Sequence, residues 1–288
     1  MIKKAVIAAA GLGTRVLPAT KAIPKEMLPI VDKPAIQFIV EETVASGIED
    51  ILIITSRGKS ALVDHFDRAP ELETRLAASN KQQSLDEVLK LSSLANIHFI
   101  RQTEIKGLGH AILMAKSFIG SEPFAVLYGD DVIIGETPAC KELIGAYKAH
   151  GKSVVGIKEV SDELIVKYSS MKVSPLGDKT HLITDMNEKP TLAEKFSNYS
   201  VLGRCILDPV IFDILEKTEK GAGGEIQLTD AMKVLSRREG MVGYEFSGTR
   251  YDMGNKVGIM KAQVEYALMH PETKDEFKEY LIALAKSL

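Results

Sequence analysis

The amino-acid sequence predicts an α/β fold with a doubly wound, mostly parallel sheet. Short runs of apolar and β-branched residues alternate with amphipathic helical stretches through the first half of the chain, and a glycine-rich turn directly follows the first run. Such alternation is typical of parallel strands joined by right-handed helical crossovers. Ligands of such sheets bind beyond the carboxyl ends of the strands. The residues that follow each strand are therefore the first candidates for function.

The first half of the chain contains the regular alternation. Continuous apolar runs predict strands that are buried on both faces, and apolar residues spaced three and four apart predict helices. The predicted strands are Ala5–Ala10, Ile51–Thr55, Ile97–Arg101 and Phe124–Tyr128, and the predicted helices are Ala35–Ser46, which Gly47 ends, and His110–Phe118. Between the second and third strands, residues 69–95 form a polar helical insertion, in which Ser84 and Glu87 have the spacing of a capping box.

The second half of the chain is richer in β segments. The predicted strands are Ser153–Val160, Met171–Ser174, His181–Asn187, Tyr199–Leu207 and Met241–Phe246, with a turn at Pro175–Asp178. The predicted helices are Asp208–Lys217, Leu228–Arg238, Lys256–Leu268 and a last one from Pro271 onward. We therefore expect one α/β domain over residues 1–288, elaborated by a smaller β-rich region without a clean boundary.

The composition is that of an ordinary soluble globular protein. Its 288 residues are 45% hydrophobic and 26% charged, enough to bury a sizeable core. The formal net charge of −3 argues against a nucleic-acid partner, and no run resembles a membrane span or a signal peptide, so we expect a cytoplasmic protein. Cys140 and Cys205 have no partner at metal-ligand spacing, and we expect two reduced, buried thiols.

The turn after the first strand has the features of a phosphate-binding loop. Gly11 and Gly13 permit positive φ and a close approach of the backbone to a ligand, and exposed N–H groups of such a turn attract anions. Arg15 and Lys25 add cations suited to phosphate. No Gly-Lys-Ser/Thr follows, and Val16 stands where a dinucleotide fingerprint has its third glycine. The loop therefore indicates a nucleotide, while weakening the alternative of a nicotinamide-dependent dehydrogenase.

Carboxylates follow the fourth predicted strand and a later strand. Asp130 and Asp131 come after Gly129, where a carboxylate can hold Mg²⁺ beside waters and phosphate. Asp252 is the best candidate for a second ligand. A helix cap or an ordinary turn aspartate remains the alternative for each.

Two further groups are suited to a base and a sugar. Gln102, near Gly107, offers a donor and an acceptor that match the imide edge of uracil or thymine, whereas His110 is expected only to begin a helix. Glu188 can accept from sugar hydroxyls and Lys189 can meet a phosphate, although a solvated ion pair would give the same pattern. No hydrolase triad or zinc spacing occurs. A sugar phosphate, with its second pKa near ~6, would need no general base, so positioning, metal and cations would suffice.

These residues resemble the sugar-phosphate nucleotidylyltransferases, and among them the bacterial UTP–glucose-1-phosphate uridylyltransferases (UDP-glucose pyrophosphorylases). The resemblance covers nearly the whole chain, and the glycine loop with the Pro-Lys-Glu-Met-Leu-Pro segment is its most specific part. The matching segments are Ala9–Arg15, Thr20–Lys21, Pro24–Pro29, Asp32–Pro34, Gly107–Ala111, Gly129–Asp131, Glu188–Pro190, Gly203–Arg204, Gly224–Asp230 and Tyr251–Gly254.

The resemblance implies a Rossmann-like sheet of the nucleotide-diphospho-sugar transferase type with a smaller β-rich sugar-binding region. It implies nucleotide binding by about residues 1–150, sugar-phosphate binding by about residues 151–255, and C-terminal helices over 256–288. It also implies Mg²⁺-dependent transfer of UMP from UTP to α-D-glucose 1-phosphate, which releases pyrophosphate. UTP and glucose 1-phosphate are therefore the expected small-molecule partners. Further copies of the chain are also expected as partners, in a homo-oligomer that is a dimer or a tetramer.

The resemblance also assigns roles to individual residues. For the nucleotide it implies Ala9, Ala10, Gly11, Gly13, Gln102, Gly107 and Asp130. For catalysis it implies Arg15, on the triphosphate and leaving pyrophosphate, and Lys25, on the charge at the α-phosphate. For the sugar phosphate it implies Glu188 on the hydroxyls, Lys189 on the phosphate and the Gly203 backbone on the sugar. For Mg²⁺ it implies Asp130 and Asp252.

Two departures from the family pattern and two alternatives remain at the level of sequence. Ser169 stands where the family usually has a glycine close to the sugar, and Met253 stands where cysteine is common. The nearest alternative is a dTTP-dependent glucose-1-phosphate thymidylyltransferase, because one methyl group separates the two bases. The second is a non-catalytic nucleotide-sugar sensor, which the retained Arg15, Lys25, Asp130 and Asp252 disfavour.

Overall fold

The computed structural model describes residues 2–287, which form thirteen strands and twelve α-helices. The strands are β1 Lys4–Ala8, β2 Pro29–Ile30, β3 Lys33–Pro34, β4 Asp50–Thr55, β5 Asn96–Arg101, β6 Phe124–Tyr128, β7 Asp131–Ile134, β8 Val154–Glu159, β9 Ser169–Gly177, β10 Thr180–Glu188, β11 Tyr199–Leu207, β12 Met241–Glu245 and β13 Thr249–Asp252. The helices are α1 Ala35–Ala45, α2 Ser60–Phe66, α3 Pro70–Ala78, α4 Gln82–Leu91, α5 Leu108–Leu113, α6 Lys116–Ile119, α7 Ala139–His150, α8 Asp162–Ile165, α9 Val210–Leu215, α10 Leu228–Glu239, α11 Lys256–Ala267 and α12 Lys274–Ala285.

Nine strands form one sheet in the order β5-β4-β1-β6-β11-β8-β12-β10-β9. Strands β5, β4, β1 and β6 are parallel neighbours, as are β8 and β12, whereas β11 and β10 each run antiparallel to both of their neighbours. Seven strands therefore point one way and two the other, which confirms the prediction of a mostly parallel α/β sheet. Two small sheets, β13 with β7 and β2 with β3, lie beside it.

Helices cover both faces of the sheet. Helices α1 and α7 pack on one face and α5, α9 and α10 on the other, so that two hydrophobic clusters form. The central strand β1 is enclosed on both sides, because neighbouring Val6 and Ile7 belong to different clusters and both are 0% exposed. This burial explains the uninterrupted apolar run in the sequence.

Several predicted boundaries are wrong. Strand β1 ends at Ala8 and not at Ala10, so the loop begins two residues earlier, and the predicted helix at 110–118 is two short helices, α5 and α6. Ser84 lies inside α4, which begins at Gln82, and so does not cap it. The turn between β9 and β10 falls at Asp178 and Lys179, with φ of 58° at Lys179.

Some elements were missed, among them α2, α7 and the β7–β13 pair, which positions two of the acidic residues. The last helix begins at Lys274 and not at Pro271. Over residues 2–287 no helix is both long and apolar enough to cross a membrane.

Candidate active site

A cleft of about 330 Å³ opens beyond the carboxyl ends of β1 and β6. Most of the residues predicted to bind the nucleotide or act in catalysis face it. Its lining comprises Ala8, Ala10, Gly11, Arg15, Lys25, Gln102, Ile105, Gly107, Leu108, Ala111, Tyr128, Asp130 and Glu225. Of the other predicted residues, Ala9 is completely buried behind the loop, and Gly13, Glu188, Lys189, Gly203 and Asp252 lie outside this lining.

The glycine loop is held in shape by its own backbone and by one threonine. Ala9 N donates to Ile54 O at 2.8 Å, which ties the end of β1 to β4. Gly13 takes the left-handed conformation, with φ of 68°, before a 3₁₀ turn at Thr14–Val16. Its carbonyl accepts from Thr20 Oγ1 at 2.7 Å. A glycine is needed at position 13 because side chains rarely adopt this φ.

Lys25 and Asp130 form an ion pair at the centre of the cleft. Lys25 Nζ lies 2.5 Å from Asp130 Oδ2, and a Cβ on Gly11 would lie 3.6 Å from the same nitrogen. Burial lowers the pKa of Lys25, but the charges of Asp130 and Glu26 raise it by more, so the net shift is upward. Burial likewise raises the pKa of Asp130, and Lys25 with Arg15 more than reverses this. Both groups are therefore charged at neutral pH.

Arg15 connects the two predicted metal ligands. Its guanidinium lies 3.8 Å from Asp130 Oδ2 and 3.7 Å from Asp252 Oδ2, while the Arg15 side chain is 60% exposed. Both carboxylates converge on Gly254: a Cβ there would lie 2.8 Å from Asp252 Oδ1 and 2.9 Å from Asp130 Oδ2. The absence of a side chain at Gly254 therefore allows the two aspartates and Arg15 to meet.

The β7–β13 pair places Asp131 directly opposite Asp252. Like charges facing each other across strands are destabilising, and Arg250, two residues before Asp252 on β13, compensates them. Arg250 Nε donates to Asp131 Oδ1 at 2.8 Å, and its Nη2 lies 4.0 Å from Asp252 Oδ2. Tyr168 OH donates to Asp252 Oδ2 at 3.1 Å, with the Arg250 guanidinium over the Tyr168 ring at 4.9 Å.

Sequence reasoning assigned no role to Arg250. Its spacing could have indicated one, because residues i and i+2 of a strand point to the same face. Asp131 behaves differently from Asp130, since burial raises its pKa to about 6 despite the nearby Arg250. Asp131 is 2% exposed and accepts a hydrogen bond from Arg250, so its role is to hold Arg250 beside Asp252 and not to contact a ligand.

Asp130 and Asp252 together fit Mg²⁺. Two carboxylates from different segments approach a common point, and Mg²⁺ is held in proteins by one or two carboxylates together with waters and substrate phosphates. Within residues 2–287 no cluster of three or more His, Cys, Asp or Glu side chains forms a metal cage. These two carboxylates therefore suit a Mg²⁺ ion whose remaining ligands would be waters and substrate phosphates.

Gln102 and Gly107 form one wall of the cleft. Gln102 is 2% exposed, and its Nε2 donates to Gly107 O at 3.2 Å and lies 2.8 Å from His110 Nδ1. Gly107 has φ of 104°, and a Cβ there would lie 2.7 Å from Ile226 O. Gly109 N donates to the same carbonyl at 2.8 Å. This wall therefore depends on the 225–227 segment, far away in the chain.

The residues predicted for the sugar phosphate lie on the β9–β10–β11 side. Gly203, with φ of 78°, packs against Asp131, whose Cβ would be 2.6 Å from a Cβ at position 203. Glu188 ends β10, and burial raises its pKa although Thr229 and Lys189 oppose the shift. Lys189, also in the left-handed region with φ of 45°, is exposed, and its N–H donates to Tyr168 O at 2.6 Å.

Ser169, one of the two departures from the expected pattern, is 3% exposed and turned away from the surface. Its Oγ lies 3.3 Å from Ser200 Oγ and accepts from Val201 N at 3.2 Å. The Ser169 side chain is therefore fixed against β11.

A buried ion pair beneath the site was also missed. Arg204, 1% exposed, donates to both oxygens of Glu42 from α1, with Nη2 to Oε2 at 2.6 Å. The same Nη2 donates to Asp131 O at 2.8 Å. Nothing local in the sequence pairs these residues, which lie 162 positions apart. The pair anchors the β7 end of the acidic cluster to α1.

Comparison with known proteins finds relatives that match over nearly the whole of this chain. Residues 4–268 match the family model described as nucleotidyl transferase. The UTP–glucose-1-phosphate uridylyltransferase YngB of Bacillus subtilis (strain 168) is 51% identical over 280 residues, covering 97% of this chain and 94% of that protein.

Two solved structures agree with this match. A crystal structure of UDP-glucose pyrophosphorylase complexed with UDP-glucose is 42% identical, with a TM-score of 0.86 over 94% of this chain and 100% of that one. The UTP-bound UGPase from Acinetobacter baumannii is 37% identical, with a TM-score of 0.87 over 98% and 99%. The family resemblance predicted from the motifs is confirmed, and the chain belongs to the nucleotidyl transferase family.

Proposed function

We propose that this protein transfers UMP from UTP to α-D-glucose 1-phosphate, forming UDP-glucose and pyrophosphate with Mg²⁺. The observation that supports this best is the convergence of Lys25, Arg15, Asp130 and Asp252 at the open end of a glycine loop. The 51% identity to a relative named for this reaction supports the choice of UTP and glucose 1-phosphate.

The uracil base is assigned to the wall formed by Gln102 and Gly107. The Gln102 amide nitrogen is engaged by Gly107 O and His110, which leaves its oxygen to accept from the N3–H of uracil. The positive φ of Gly107 lets the backbone approach the same edge closely. The triphosphate then extends toward Gly11, Arg15 and Lys25.

The chemical step needs no protein base. The sugar phosphate is largely a dianion at neutral pH, and one of its oxygens attacks the α-phosphorus in line while pyrophosphate leaves. Lys25 stabilises charge that develops around the α-phosphorus, and Arg15 holds the departing pyrophosphate. Asp130 and Asp252 would hold Mg²⁺, which would neutralise charge on the phosphate oxygens.

Residues of about 151–255 are assigned to the sugar phosphate. Glu188 accepts from the glucose hydroxyls, Lys189 meets the phosphate, and the backbone at Gly203 contacts the sugar. The hydrogen bonds of Ser169 to Ser200 and Val201 support a sugar site that tolerates this serine. A cytoplasmic homo-oligomer remains the prediction from sequence.

Pyrophosphate release from the purified protein tests this proposal directly. The assay contains Mg²⁺ and glucose 1-phosphate and compares UTP with dTTP, CTP and ATP, with galactose 1-phosphate as an alternative acceptor. We expect turnover with UTP and glucose 1-phosphate. The comparison with dTTP is needed because a methyl-sized difference between substrates discriminates only about 10–200-fold in a pocket. Preference for dTTP would establish the thymidylyltransferase alternative. A folded protein that binds UTP without turning over any pair would be the sensor.

A further inference from the structure

Lys59 lies behind the glycine loop, where it is 7% exposed, directly before α2. Its ammonium makes three hydrogen bonds: to Ala9 O at 2.6 Å and to Glu26 Oε2 and Oε1 at 2.8 and 2.9 Å. An ammonium has three donors, so all of them are used inside the protein. Lys59 is therefore not available to a ligand, and its role must lie in what it holds.

Ser56 and Lys59 hold two carbonyl groups of the glycine loop from the side that faces away from the cleft. Ser56 Oγ donates to Ala10 O at 2.9 Å, beside the bond from Lys59 to Ala9 O. Neither Ser56 nor Lys59 lines the cleft. A trans peptide places its C=O and N–H on opposite sides, so the N–H groups of Ala10 and Gly11 point away from these two side chains. Throughout residues 2–287, no protein group accepts from either N–H, which leaves both for an anion.

The other end of the Lys59 contact fixes the segment that contains Lys25. Glu26 is 0% exposed and lies in the 3₁₀ turn Lys25–Met27, so the ion pair holds this turn from below while Lys25 reaches Asp130 above. Burial lowers the pKa of Lys59 and raises the pKa of Glu26, so each depends on the other to remain charged. A buried pair is a costly way to stabilise a fold, which favours a positional role.

We infer that Lys59 is a positioning residue that joins the glycine loop and the Lys25 turn into one rigid phosphate-binding unit. This rests on the proposed function of that unit. Lys59 sets the direction of the Ala10 N–H through Ala9 O, and Ser56 sets that of the Gly11 N–H through Ala10 O. Lys59 also fixes the position of the Lys25 turn through Glu26. Removing it loosens both phosphate-facing segments at once, without touching the substrate.

The test uses the double variant Lys59→Met/Glu26→Met. Removing Lys59 alone would leave a buried, unpaired carboxylate, whereas replacing both partners by apolar residues of similar size is often neutral for stability. We expect a folded double variant whose Kd for UTP, by calorimetry, rises about 10-fold and whose kcat falls about 100-fold, because small misplacements of binding groups have effects of this size. The KM for glucose 1-phosphate should change less than about 3-fold, since that part of the site is untouched.

Two further variants keep the test decisive. Ser56→Ala, which removes only the hydroxyl on Ala10 O, should raise the Kd for UTP about 3-fold even if the double variant fails to fold. Lys4→Met is the matched control, because Lys4, like Lys59, contacts both backbone carbonyl oxygen (here Phe118 O and Ile119 O) and a glutamate, but at the opposite end of β1. It should bind UTP like the wild type.

UTP binding within 2-fold of the wild type in a folded double variant would overturn the inference. If the double variant does not fold, UTP binding within 2-fold of the wild type in Ser56→Ala would overturn it. Failure of the proposed function gives a different result: a wild-type protein that does not turn over in the same assay, whatever the variants bind.

Discussion

Replacing Gly254 with alanine tests how closely the charged groups of the site must stand. A Cβ at this position would lie 2.8 Å from Asp252 Oδ1 and 2.9 Å from Asp130 Oδ2, and it would also collide with Arg15 Nη2. Ordinary van der Waals contact begins at about 3.4 Å, so each carboxylate must retreat by roughly half an ångström. Arg15 is 60% exposed and can move away at little cost.

The expected loss of activity follows from this displacement. A misplacement of about 1 Å costs about 100-fold in rate, so half of that in two ligands should lower kcat about 10- to 100-fold. This corresponds to about 1.4–2.7 kcal/mol of activation free energy. Stability should fall by only about 1 kcal/mol, at the low end for overpacking, because none of the displaced charged groups belongs to the two hydrophobic clusters and two of them, Arg15 and Asp130, border the cleft.

Gly145→Ala is the control for this experiment. Gly145 lies in α7 with nothing within 4 Å of its would-be Cβ, so alanine should leave kcat unchanged and stabilise the fold by about 0.5–1 kcal/mol. The measurements are pyrophosphate release at saturating Mg²⁺ and the midpoint of urea unfolding. Wild-type kcat in Gly254→Ala would refute the reasoning that the two aspartates must meet at this point. If kcat falls only in proportion to the loss of folded protein, the substitution acts on the whole fold and not on the site, which would also refute the prediction.

Three further predictions concern the same site. Asp252→Asn keeps an acceptor for the Gly254 N–H, 2.7 Å away, but halves the carboxylate charge available to Mg²⁺; we expect turnover to be abolished with unchanged unfolding, and near-normal turnover would contradict the metal assignment. Lys25→Ala should lower kcat far more than it weakens UTP binding, as single-turnover kinetics and calorimetry would show, whereas equal losses would make Lys25 a binding residue only. Ser169→Gly should leave the KM for glucose 1-phosphate within about 3-fold, since the hydroxyl faces Ser200; a larger change would place the hydroxyl in the sugar site.

The residues that sequence analysis identified well are those with a local signature. The glycine loop follows a strand, Asp130 follows another, and Gln102 a third, so their positions follow from the rule that ligands bind where parallel strands end. The cleft lining includes Gly11, Lys25 and Asp130 together. The strand boundaries were predicted less accurately, because the apolar run continues to Ala10 although β1 ends at Ala8.

The residues that sequence analysis missed act through distant partners. Arg250 has meaning only because β13 pairs with β7 and brings Asp131 opposite Asp252. Lys59 and Glu26 lie 33 positions apart, and Arg204 and Glu42 lie 162 apart. No periodicity or motif relates such pairs, since their proximity is decided by how the strands are ordered in the sheet.

The fold class, the family resemblance and the chemical groups of the site could all be predicted without coordinates: a phosphate loop, two cations, two carboxylates and a base-reading amide. These depend on residue type and short spacing, which the chain displays directly. Three facts emerged only from the folded chain: β11 and β10 reverse direction within the sheet, Asp130 and Asp252 meet at Gly254, and a buried lysine holds the loop. Those facts depend on which remote segments pack together, and packing is set by the whole chain at once.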